Sequence, residues 1–155
     1  FTHGFVTYSN RAKRECLGVK KSTLKTVGAV SAKCAKQMAK GGCAASGADI
    51  CLSVTGLAGP DGGTSETPVG TVFMGCCCNG HTITREYHFT GNRTKIRQQA
   101  VASALVLLRE CMMGEVEDVS FLNRRKCFTS SSSSGLPLYQ ALHVPGGFFP
   151  FSKPQ

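Results

Sequence analysis

The amino-acid order predicts a layered α/β protein of the α+β kind, with helices packed on a mixed β-sheet and a β-hairpin and helix at its C-terminal side. Three observations carry that expectation. Short β-patterned runs at Gly4–Tyr8 and Asp49–Thr55 alternate with helical stripes. An Asn79-Gly80 pair separates two further strand-patterned runs, which is a hairpin signal because both turn positions need positive φ. Ile96, Ala100, Ala104, Leu107 and Cys111 then recur at the spacing of one helix face.

The elements follow in order. Gly4 to Tyr8 (G-F-V-T-Y) reads as a strand ending in Ser9-Asn10, residues suited to cap a helix. A helix from Asn10 to Leu17 stops at Gly18, and Ser22–Val27 forms a further short helical turn closed by Gly28. Ser31 caps a longer helix whose stripe is Cys34, Ala35, Met38 and Ala45, with lysines opposite and Gly41, Gly42 and Gly47 weakening its far end. Asp49–Thr55 is apolar and β-branched enough for a buried strand. Gly56–Pro68 is a loop, 69–78 and 81–89 are the hairpin strands, and Asn92 or Thr94 opens the last helix. Residues 1–113 make one domain. Beyond it, Gly114–Gln155 has neither period and holds the serine run 130–134, so it reads as a low-complexity, unstructured tail.

Composition narrows the functional classes. The chain of 155 residues is long enough for one core, and no apolar run is long enough to span a membrane. The formal charge is +9, much of it between Arg11 and Lys40 with Glu15 as the sole acid there. Nucleic acid is disfavoured as a partner, because no aromatic residues are interleaved with those charges; exposed helix positions explain them. Nine cysteines include the consecutive Cys76, Cys77 and Cys78, and no CxxC pair or His at ligand spacing accompanies them. They read as reduced thiols, several at core positions, of a cytoplasmic protein, with no metal implied.

Three constellations carry candidate chemistry. Thr55-Gly56-Leu57-Ala58-Gly59-Pro60-Asp61-Gly62-Gly63-Thr64 follows a core strand, where open sheets place ligands. Its Gly56, Gly59, Gly62 and Gly63 let backbone N–H groups approach a phosphate or carboxylate, and Thr55 and Thr64 add hydroxyls. Tyr8 and Lys13 flank a strand-to-helix junction and both are placed to face one cleft. A lysine there opposes the helix dipole, and partial burial would favour its proton-accepting form; a solvated surface lysine is the ordinary alternative. Arg93, in Thr90-Gly91-Asn92-Arg93, stands at a helix start where it can fork onto a phosphate.

Together these segments resemble a known family. G-F-V-T-Y-S-N-x-A-K, L-G-V, G-A-V-S, S-V-T-G-L-A-G-P-D-G-G-T, P-V-G-T-V and G-N-R are similar, in order and spacing, to the CinA C-terminal domain. The similarity covers residues 1–113. It implies a PncC-type nicotinamide-nucleotide amidohydrolase, which converts nicotinamide mononucleotide to nicotinate mononucleotide and ammonia in pyridine-nucleotide recycling, without metal or cofactor. By this resemblance Tyr8 and Lys13 belong to the catalytic group. Thr55 and Arg93 bind or polarise substrate, and Gly56, Gly59, Gly62, Gly63 and Thr64 shape the pocket. A homo-oligomer is compatible with the family.

Two departures qualify the resemblance. The family's proposed nucleophile is a serine farther upstream of the tyrosine than the seven residues that precede Tyr8, and a T-A-E-S-C-T-G-G stretch is missing. The domain therefore reads as lacking its first strand and helices, and these residues are expected not to turn over alone. Arg11 also stands where an acid or amide is common. The alternative reading is a non-catalytic nucleotide-binding or regulatory module.

Overall fold

A computed structural model of the protein describes residues 1–115; the expectation of an unstructured tail falls almost wholly outside them. The order of elements is α1 (Asn10–Leu17), α2 (Lys21–Thr26), α3 (Ala32–Ser46), β1 (Ile50–Gly56), β2 (Thr71–Cys78), β3 (His81–His88) and α4 (Arg93–Met113). Helices pack on both faces of a three-stranded sheet of order β1-β2-β3, which is the expected α+β layering. Where the sequence predicts a mixed sheet, both strand pairs are antiparallel among the described residues.

Local rules account for most boundaries. Ser9 Oγ accepts from Ala12 N–H, Ser31 Oγ from Cys34 N–H and Asn92 Oδ1 from Lys95 N–H, each satisfying a first-turn donor. Gly18, Gly47 and Gly114 end their helices in the left-handed region. Asn79 (φ 47°) and Gly80 (φ 80°) supply the two positive-φ positions of the β2–β3 turn.

Helix α3 runs unbroken to Ser46 despite Gly41 and Gly42. Packing explains why these glycines do not end it. A Cβ on Gly41 would collide with the Leu17 carbonyl of α1, and one on Gly42 with Cys51 Sγ of β1. The cost in helix propensity permits a close approach of α1 and the sheet.

Two core clusters lie among the described residues, one between α3 and the preceding helices and one on the far face of the sheet. Leu17, Val19, Cys34 and Met38 bury against Leu24 between α1, α2 and α3. On the opposite sheet face Val72, Met74 and Cys76 meet Ala104 and Leu107 of α4. At the flank of that layer Arg85 Nη1 lies 2.6 Å from Glu110 Oε2, linking β3 to α4.

Two expectations are corrected. Gly4–Tyr8 is not a strand: it has no ladder partner among the described residues, and Val6 is 93% exposed. A strand needs a neighbour to take its N–H and C=O groups, and alternation alone does not provide one. β1 forms where expected, but as an edge strand rather than a buried one, with Val54 43% exposed.

Candidate active site

Lys13 stands in the first turn of α1 and is buried, not solvated. Its Nζ donates to the Thr7 carbonyl at 2.7 Å and to the Tyr8 carbonyl at 3.4 Å. No carboxylate pairs with it among the described residues. The ammonium thus folds Thr7 and Tyr8 back over the helix start. It is also near the first turn of α3, since burial pushes the Cys34 thiol up and the Lys13 charge pulls it partly back.

Tyr8 meets Lys13 through its main chain only. Its side chain is 91% exposed, so the phenol and the ammonium do not share a closed cleft in this arrangement.

Thr55 is buried near the C-terminal end of β1, and its Oγ1 donates to the Ala29 carbonyl at 2.8 Å. That bond ties the turn before α3 to the strand that feeds the glycine loop. It also uses the hydroxyl proton, leaving the oxygen's lone pairs to accept from a ligand.

Arg93 opens α4, and its Nη1 donates to the Gly59 carbonyl at 2.8 Å. Gly59 is buried, holds φ 72° and precedes a cis bond to Pro60. A Cβ at Gly59 would press on the Val69 side chain, and one at Gly56 on Val72 and the Thr71 carbonyl. Gly62 and Gly63 lie exposed at the loop's outer side. Thr64 closes a local turn: its N–H donates to the Thr67 carbonyl and its Oγ1 accepts from Thr67 N–H.

Two hydrogen bonds fasten the predicted strand and loop to their neighbours: Thr55 to Ala29, and Gly59 to Arg93. Ala29, which takes the Thr55 bond, lies just before the N-terminal end of α3, and Thr55 lies near the C-terminal end of β1. A shallow depression lined by Lys40, Cys43, Asp49, Cys77 and Asn79 lies at the other end of these elements and touches neither residue. Sequence reasoning missed the carbonyls of Thr7 and Ala29, since main-chain acceptors carry no residue-type signal.

A family model described as the CinA C-terminal domain matches residues 1–112. The chain belongs to the CinA C-terminal domain family. A nicotinamide-nucleotide amidohydrolase PncC of Enterobacter agglomerans is 51% identical over 112 residues, covering 71% of this chain and 68% of that protein. A putative competence-damage inducible protein of Clostridium novyi is 50% identical over 109 residues, 70% of this chain and 26% of its own length. The chain thus spans about a quarter of the longer curated relatives it matches. Among solved structures, the competence/damage inducible protein CihA of Agrobacterium tumefaciens superposes with TM-score 0.66 at 47% identity, covering 68% of this chain and 65% of that one. A competence damage-inducible protein A of Klebsiella pneumoniae gives TM-score 0.67 at 41% identity, covering 70% and 67%. The CinA-type fold of these structures is the α+β layering described above. Among the described residues no helix is long and apolar enough to cross a membrane.

Proposed function

We propose that this CinA C-terminal domain is part of an amidohydrolase that converts nicotinamide mononucleotide to nicotinate mononucleotide and ammonia. The observation that carries the reading is the pair of hydrogen bonds that fasten the glycine loop and its strand, Thr55 to Ala29 and Arg93 to Gly59, beside a Lys13 buried in the first turn of α1. The name of the Enterobacter agglomerans relative supports the substrate.

The nucleophile in this reading is a serine supplied upstream of Phe1. Its oxygen attacks the carboxamide carbon, and its proton passes toward Lys13 and Tyr8. Expulsion of ammonia, which takes up a proton, leaves an ester that water hydrolyses to the carboxylate. Lys13 would take that proton as the neutral amine, whose two N–H groups still serve the Thr7 and Tyr8 carbonyls while its lone pair accepts. Tyr8 would have to turn inward from its exposed position. In this reading, backbone donors of the loop after Thr55 would meet the developing oxyanion. Arg93 spends one N–H on Gly59 and keeps others for the phosphate.

The test is ammonia release from nicotinamide mononucleotide by the protein extended with its own upstream coding sequence. Release by the extended protein, with none from residues 1–155, is the expected result. An extended protein that carries the serine and releases no ammonia above buffer defeats the proposal.

A further inference from the structure

Three thiols converge at the end of α3 and β1 away from Thr55. Cys43 stands in the last turn of α3, Cys51 near the start of β1 and Cys77 near the end of β2. Cys51 and Cys77 lie directly opposite each other in the ladder. Two residues along each strand, Ser53 lies opposite Gly75, and its Oγ donates to the Ala35 carbonyl of α3. Residues two apart in a strand share a face, so the Cys51 and Cys77 side chains also point toward α3.

Helix α3 meets both sulfurs closely. A Cβ on Gly42 would collide with Cys51 Sγ, so that sulfur fills the space the glycine leaves. The next residue turns to the other strand: Cys43 S–H donates to the Cys77 carbonyl at 3.8 Å. Its sulfur also lies within hydrogen-bonding reach of the Cys77 and Cys51 thiols. Cys43 and Cys77 together line the shallow depression bordered by Lys40 and Asp49, whereas Cys51 is not part of its lining. No CxxC motif marks the group, because the fold brings Cys43 and Cys77 together across 34 residues of chain. Clustered thiols either share a metal ion or couple to one another. Among the described residues no group of three His, Cys, Asp or Glu is arranged to hold a metal ion.

We propose that Cys43 and Cys77 form a reversible dithiol–disulfide site, which fastens the end of α3 to β2 when a hydroperoxide oxidises it. Cys43 is the attacking sulfur, since it is half-buried in the depression while Cys77 is buried. Its thiolate attacks the terminal peroxide oxygen and the O–O bond breaks, giving a sulfenic acid and an alcohol, or water from hydrogen peroxide. The Cys77 sulfur then displaces the sulfenic hydroxyl as water, and the S–S bond forms. The two thiols lose two electrons and two protons, which the peroxide takes up. Burial keeps Cys43 protonated at neutral pH, so the reaction is slow there and quickens as the pH rises. This site lies apart from Thr55 and Arg93, and the inference does not rest on the amidohydrolase reading.

The experiment treats the full 155-residue chain, fully reduced and dilute, with hydrogen peroxide, then blocks the remaining thiols by alkylation and maps peptides by mass spectrometry. A Cys43–Cys77 linked peptide is expected, and dithiothreitol should return both cysteines to the alkylated form. Its rate of formation should rise about ten-fold from pH 7 to pH 8, because the thiolate fraction does. Amide exchange in residues 43–47 should slow by about ten-fold or more in the oxidised protein. In Cys43→Ser, Cys77 should be recovered alkylated. The linkage is read in the unaltered protein, so a variant that fails to fold does not decide the matter. The inference is overturned if Cys43 is recovered alkylated, bridged to Cys51 or further oxidised without a link. Bridges between chains through the exposed Cys16, with Cys43 and Cys77 unlinked, overturn it as well.

Discussion

The Arg93 guanidinium donates to the Gly59 carbonyl at 2.8 Å, joining the first turn of α4 to the cis Gly59–Pro60 bond across 34 residues of chain. The contact holds the glycine loop against the helix start while leaving part of the guanidinium fork free. Replacing Arg93 by alanine removes both the clasp and the cation. In the upstream-extended protein Arg93→Ala should raise KM for nicotinamide mononucleotide by about ten-fold or more, with Arg93→Lys recovering part of it as a point charge without the fork. Hydrogen exchange in residues 56–64 should rise in the alanine variant. An unchanged KM would remove Arg93 from the substrate site.

Lys13 separates structural from chemical work. Lys13→Met keeps much of the side-chain volume but leaves the buried Thr7 carbonyl without its 2.7 Å donor. Urea unfolding should show a loss of about 1–3 kcal/mol, the usual penalty of an unsatisfied buried acceptor. Limited proteolysis should cut residues 1–8 faster. If Lys13 also moves a proton, ammonia release by the extended variant should fall by about a hundred-fold or more at saturating substrate. Full activity with the stability loss would assign it to structure alone.

The thiols predict an alkaline weakness. Burial, with the adjoining Cys77 thiol, pushes Cys43 from 9.0 up to about 12. Cys34, Cys51, Cys76 and Cys111 are raised in the same direction, chiefly by burial. The folded state therefore keeps protons that the unfolded chain releases. The stability Cys43 contributes is complete below pH 9.0 and is lost as pH rises toward about 12. Urea midpoints should hold steady through neutral pH and fall above about pH 9, and Cys43→Ala should reduce the slope. A midpoint that rises with alkaline pH would contradict the buried, protonated state of these thiols.

Sequence alone was sufficient wherever a rule is local. Ser9, Ser31 and Asn92 cap helices because each side chain reaches an N–H three residues on. Asn79-Gly80 makes the hairpin because its backbone tolerates positive φ. The family motif was equally legible, as it lies in contiguous runs such as Thr55–Thr64. Tertiary structure decided what depends on partners far along the chain. Gly4–Tyr8 has strand alternation but no ladder neighbour, and β1 has an interior strand's composition at an edge. Tyr8 and Lys13 are joined through a carbonyl and not through the phenol, and Thr55 spends its proton on Ala29, 26 residues away. Caps and turns are satisfied within a few residues, so sequence encodes them directly; strand partners and buried donors are satisfied across the fold, so only packing assigns them.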